Sequence, residues 1–97
     1  MPIYQVTPLA GNAQALGDAV RVNLDQGDRY ELANKAGWLI TFKGTTVELS
    51  HKLGITDPSR TAPSKVGSAM VVAITSYYGR GSTEMWEWLK TRFEAGA

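Results

Sequence analysis

Apolar residues recur with a period of two in some stretches of this chain and at spacings of three and four in others, and the two kinds of stretch alternate. Ile3 to Thr7 predicts a first strand, with Ile3, Gln5 and Thr7 on one face and Tyr4 and Val6 on the other. Pro8 and Gly11 end it. Asn12 stands where a helix N-cap belongs, and Leu16, Val20 and Leu24 then recur at spacings of four with Ala13 on the same side. Gln14, Asp18 and Arg21 lie away from that stripe. After the Gln26-Gly27-Asp28 turn, Arg29 to Ala33 predicts a strand in which Tyr30 and Leu32 share a face. Asn34-Lys35-Ala36-Gly37 carries hairpin chemistry and leads into Trp38 to Phe42, where Trp38, Ile40 and Phe42 alternate with Leu39 and Thr41.

Thr45-Thr46-Val47-Glu48 matches a capping box, in which Thr45 serves the helix N–H groups and Glu48 reaches back. The short helix it starts places Leu49 and Leu53 together, and Gly54 closes it. Ile55 to Gly67, with two prolines and several hydroxyl residues, predicts a long exposed loop. Val66 to Thr75 is the next strand. Its run Ala69 to Ile74 is apolar on both faces, which predicts an interior strand. The last helix runs from Thr83 to about Glu94 and aligns Met85, Trp86, Leu89 and Phe93, with Trp88 at the border of the stripe.

Strand, helix, strand, strand, helix, strand is the βαββαβ order. It predicts an α+β, ferredoxin-like sandwich whose antiparallel sheet carries two helices on one face and whose crossovers are right-handed. The C-terminal helix is an addition, and it must cover part of the sheet, pack at its edge or serve a partner.

A chain of 97 residues with 43% hydrophobic and 20% charged residues predicts one ordered domain. Ten basic residues against nine acidic ones leave a net charge of +1, without the electrostatic footprint of a nucleic-acid binder. The absence of cysteine removes disulfides, zinc ribbons, iron–sulfur clusters and thiol catalysis together. The longest apolar run, Ala69 to Ile74, is far too short to span a membrane, and MPIYQVTPLAG lacks a basic leader, so the expected location is the cytoplasm.

No catalytic constellation emerges. One histidine and no cysteine argue against zinc, the carboxylates form no paired metal-binding arrangement, and no nucleophile elbow is present. His51 reads as a solvated helix residue near a C-terminus, and no cofactor is implied. The segment with most chemical content is Tyr77-Tyr78-Gly79-Arg80-Gly81-Ser82-Thr83. Arg80 between Gly79 and Gly81 is placed to meet a phosphate or carboxylate, with the Ser82 and Thr83 hydroxyls and helix N–H groups assisting. The simpler reading is a strand-to-helix connection capped by Ser82 or Thr83.

IYQVTPLAG, GWLITFKGTTVELSHKL and AMVVAITSYYG resemble segments of small ferredoxin-like proteins related to the CRISPR-associated spacer-acquisition subunit. The resemblance spans most of residues 3–79 and implies a ferredoxin-like homodimer that contacts nucleic acid. Nuclease members of that group carry an acidic residue at the end of the first strand. Here Val6-Thr7-Pro8-Leu9 holds none, and with it goes the metal ligand of a nuclease.

Together these readings predict a non-enzymatic module acting through self-association, most simply a homodimer. Trp88 on the last helix, or a sheet face bearing Trp38 and Phe42, would carry the contact. The second reading is a nucleic-acid or phosphate-ligand binder using Arg80, Lys43, Lys65 and Arg60. The third is an enzyme with an unrecognised site.

Overall fold

The computed structural model describes residues 1–59 and 61–95, so Arg60 lies outside the described residues. The elements follow in the order β1 (Ile3–Pro8), α1 (Ala13–Asn23), β2 (Arg29–Glu31), β3 (Trp38–Thr41), α2 (Thr46–Lys52), β4 (Ala69–Ile74) and α3 (Thr83–Ala95). The strands form a single sheet in the order β2-β3-β1-β4, and every neighbouring pair is antiparallel. The connection through α1 therefore passes over β3, and the connection through α2 passes over β1.

The alternation read from the sequence sets the two faces. Tyr4, Val6, Trp38 and Ile40 point to one side, where they meet Leu16 and Val20 of α1 and Leu49 and Leu53 of α2 in the main core. Val6, Leu16, Val20, Ile40 and Leu49 have no exposed surface, so each contributes about 1.5–3 kcal/mol of burial free energy. Ile55 and Val66 close this core from the two ends of the long loop. On the other face, Ile3 and Leu39 meet Leu89 of α3, with Met85, Trp86 and Phe93 around them. The added helix thus covers part of the second sheet face.

The capping box forms as its sequence predicts: the Glu48 N–H donates to Thr45 Oγ1 at 3.1 Å, and the Thr45 N–H donates to Glu48 Oε1 at 3.0 Å. Gly54 follows the α2 C-cap with φ +78°, a left-handed conformation that favours glycine. The hairpin between β2 and β3 turns through Asn34 at φ 59° and Lys35 at φ 57°. β2 is shorter than expected, because a 3-10 turn at Ala33–Lys35 takes over after Glu31.

Two expectations are corrected. Asn12 makes no side-chain cap for α1. Its Nδ2 instead donates to the carbonyl oxygens of Val66 at 2.7 Å and Ser68 at 3.0 Å, while Oδ1 accepts from the Ala10 N–H at 3.1 Å. The side chain is spent on fastening the end of the long loop to the β1–α1 turn. The second correction concerns β4, which is an edge strand and not an interior one. Ala69, Val71 and Ile74 are half-buried, whereas Met70, Val72 and Ala73 are exposed.

Candidate functional site

The Gly79–Thr83 connection is a surface turn whose polar groups serve the helix it opens. Ser82 Oγ accepts from the Met85 N–H at 3.2 Å, and the Ser82 carbonyl accepts from the Trp86 N–H at 3.2 Å. Ser82 is therefore the N-cap of α3, and Thr83 its first helical residue. Ser82 Oγ also lies 3.3 Å from the Tyr30 hydroxyl, which ties the cap to β2. Arg80 is exposed, and among the described residues it has neither an ion-pair nor a hydrogen-bond partner. Lys65 sits beside Gly54 at the end of α2, in the layer across the sheet from α3, into whose start Arg80 leads.

The aromatic residues expected at an interface are occupied within the chain. Trp38 is 5% exposed in the main core, under the Arg21 guanidinium at 5.2 Å from its ring centre. Phe42 packs against the same core and meets Tyr4 edge-on. Trp38 and Phe42 thus lie on the face that α1 and α2 cover, packed against the core beneath those helices. Trp88 packs against Tyr30 and lies under the Arg92 guanidinium at 4.4 Å. Arg92 also donates to the Gly27 carbonyl from Nε at 3.2 Å and Nη2 at 2.7 Å. Trp88 and Arg92 together dock α3 on the turn before β2. Tyr77 stacks on Trp86, and Tyr78 alone stands fully in solvent.

His51 is less solitary than its sequence context suggests. Its Nδ1 lies 2.7 Å from Thr56 Oγ1, which in turn lies 2.8 Å from Ser50 Oγ. With Thr46, Val47, Asp57 and Val71, these residues line an open cleft of about 440 Å³ between α2, the following loop and β4. The Ser59 hydroxyl beside Asp57 holds its carboxyl below the usual carboxylate range, helped by backbone N–H groups of the same turn. A nucleophile–base pair needs a further group to orient the imidazole. None is hydrogen-bonded to its far nitrogen among the described residues, nor is there a cluster of metal-ligating side chains. The trio closes the corner between α2 and the loop.

No family model, curated protein or solved structure matches this chain. Its surface must therefore be read on its own chemistry, and one feature departs from what a folded domain ordinarily shows. β4 is a six-residue edge strand without a charged residue or a proline. Natural edges are blunted by short length, charge, proline or a bulge. The opposite edge, β2, is three residues long and bears Arg29 and Glu31. On β4, Met70 is 52% and Val72 46% exposed on the side that α3 leaves open, and Leu9, whose N–H bonds the Ser68 carbonyl just before β4, is 56% exposed. The sequence does contain this signal, as the two-faced apolarity of Ala69–Ile74, but it reads there as an interior position.

Proposed function

We propose that this protein is a non-enzymatic cytoplasmic module of ferredoxin-like architecture that associates with a second copy of itself through the open edge of β4. The architecture is supported by two interleaved crossovers in a fully antiparallel sheet ordered β2-β3-β1-β4. The resemblance to the spacer-acquisition group enters only at the level of that fold, because no acidic residue stands at the end of β1.

One observation carries the reading: β4 combines an unpaired backbone edge with exposed Met70 and Val72 and has no device to repel another strand. α3 and the Trp38 face are less suited, since their aromatic residues are already packed. The anion-binding alternative rests on Arg80: Lys65 sits beside Gly54 in the layer across the sheet from α3, and Arg60 lies outside the described residues.

Sedimentation velocity over a wide concentration range tests the proposal. The unmodified chain is expected to show a reversible monomer–dimer equilibrium, and Val72→Lys, at an exposed position, is expected to shift it to monomer without loss of fold. A strict monomer at the highest concentration, or dimerisation indifferent to Val72→Lys, would refute it. No helix among the described residues is long and apolar enough to cross a membrane.

A further inference from the structure

The backbone fixes how two copies would meet. In an antiparallel pair, residues directly opposite alternate between hydrogen-bonded and non-hydrogen-bonded positions. The Leu9 N–H donates to the Ser68 carbonyl at 3.0 Å, and this pair continues the register in which Thr7 faces Met70, Gln5 faces Val72 and Ile3 faces Ile74. These are therefore the hydrogen-bonded pairs of β1 and β4. Pro8, which lacks an N–H, faces Ala69 in the other phase, as it must. Met70, Val72 and Ile74 thus spend their backbone groups on β1. The N–H and C=O groups of Ala69, Val71 and Ala73 point outward from the open edge.

On this basis, and resting on the self-association reading above, we infer that two copies pair β4 against β4 antiparallel about a dyad through Val71. Two strands related by a dyad perpendicular to the sheet keep their faces aligned only if the axis passes through a residue position. Placed at Val71, it sets Val71 opposite Val71 and Ala69 opposite Ala73 as hydrogen-bonded pairs. Every outward N–H and C=O of Ala69, Val71 and Ala73 on both strands then finds a partner. Placed at Val72, it pairs Val71 with Ala73 and leaves the groups of Ala69 to reach beyond the strand.

Side chains favour the same register. On the face that α3 leaves open, Met70 of each copy lies opposite Val72 of the other in a non-hydrogen-bonded pair, where side chains approach most closely. The exposed apolar residues of both strands are thereby covered. On the α2 face only alanines and Val71 meet, which leaves room beneath the two α2 helices and their clefts. The segment from Ser68 to Ser76 contains no charge, so the copies meet without like-charge repulsion. A strand of six residues is about 20 Å long, so the contact falls below the roughly 800 Å² per partner of a standard interface. The dimer is accordingly reversible. It is also closed, because each copy uses its one long edge and the outer edges of the joined sheet are the short β2 strands.

A chain without cysteine makes this register directly measurable. Hydrogen-bonded partners have Cα atoms about 5.5 Å apart, inside the range of a disulfide, whereas diagonal neighbours lie about 7–8 Å apart. Under mild oxidation Val71→Cys is expected to give a covalent dimer and Val72→Cys none. Met70→Cys and Val72→Cys chains are each expected to stay uncrosslinked alone and to crosslink when mixed. These two positions are exposed, so the mixture remains informative if Val71→Cys is poorly folded. Crosslinking of Val72→Cys alone would overturn the Val71 dyad while leaving self-association through β4 intact. A concentration-dependent dimer in which none of these positions crosslinks would overturn both the register and the edge reading. A strict monomer would overturn self-association itself.

Discussion

Replacing Asn12 tests whether a single amide holds the long loop to the body of the protein. Its three hydrogen bonds reach the carbonyls of Val66 and Ser68 and the N–H of Ala10. A net contribution of about 0.5–1.5 kcal/mol applies to an ordinary hydrogen bond, and here two of the three are solvent-exposed. Asn12→Ala should therefore cost about 1–2 kcal/mol. In a domain of this size each kcal/mol lowers the melting temperature by about 4–8 °C. Asn12→Asp sharpens the test, because it keeps the acceptor for Ala10 but replaces the amide donor with an oxygen facing two carbonyl oxygens. It should be less stable than Asn12→Ala at pH 7. The carboxylate form is disfavoured in the folded state, so its folded pKa rises above the unfolded value near 3.9. The Asp variant should then be most stable below that pH and lose stability as pH rises through the folded pKa. Thermal and urea unfolding of both variants between pH 3 and pH 7 measures this. An Asp variant at least as stable as the Ala variant at pH 7, or one whose stability does not fall with rising pH relative to the parent, would refute the reasoning.

Two further outcomes follow from the same kind of local accounting. Thr45→Ala removes one half of the capping box on α2 and should cost about 1 kcal/mol in urea unfolding; combined with Glu48→Ala it should cost less than the two single effects added, because both act on one device. Asp57 has its folded pKa depressed by the Ser59 hydroxyl, so its contribution is present above the unfolded pKa and is lost as pH falls through the folded value. Asp57→Asn should flatten the acid limb of the stability profile, which a pH series of melting curves would reveal.

The elements were legible in the sequence wherever local pattern and tertiary position agree. Tyr4 and Val6, Leu16 and Val20, and Trp38 and Ile40 show their burial through spacing alone, because each lies on an element with one covered face. Thr45 and Glu48 announce their helix through chemistry confined to a single turn. Asn12 misled because an amide can satisfy either the helix N–H groups or any nearby carbonyl, and the Val66 carbonyl that wins lies 54 residues away. Trp88 suggested a contact surface because its stripe position is marginal; the cation that covers it, Arg92, stands one helical turn on. β4 is the instructive failure. Its apolarity implied an interior position, whereas two interleaved crossovers leave the last strand outside. Composition and topology disagree there, and that disagreement marks the surface proposed for self-association.

The position of β1 also bears on how fast the native state is reached. It is the first strand in the chain, yet it lies between β3 and β4 at the middle of the sheet. Val6 faces Trp38, 32 residues later (38 − 6), and Ile3 faces Ile74, 71 residues later (74 − 3). No hairpin joins β1 to either neighbour, so each pairing must close a long loop before it gains any hydrogen bond. The β2–β3 hairpin and the capped α2 can form early from local contacts, but the sheet has no centre until these distant segments meet. Folding should accordingly be governed by that search, in the slower range of small mixed α/β domains, with the apolar β4 segment the last strand to be sheltered along its inner side.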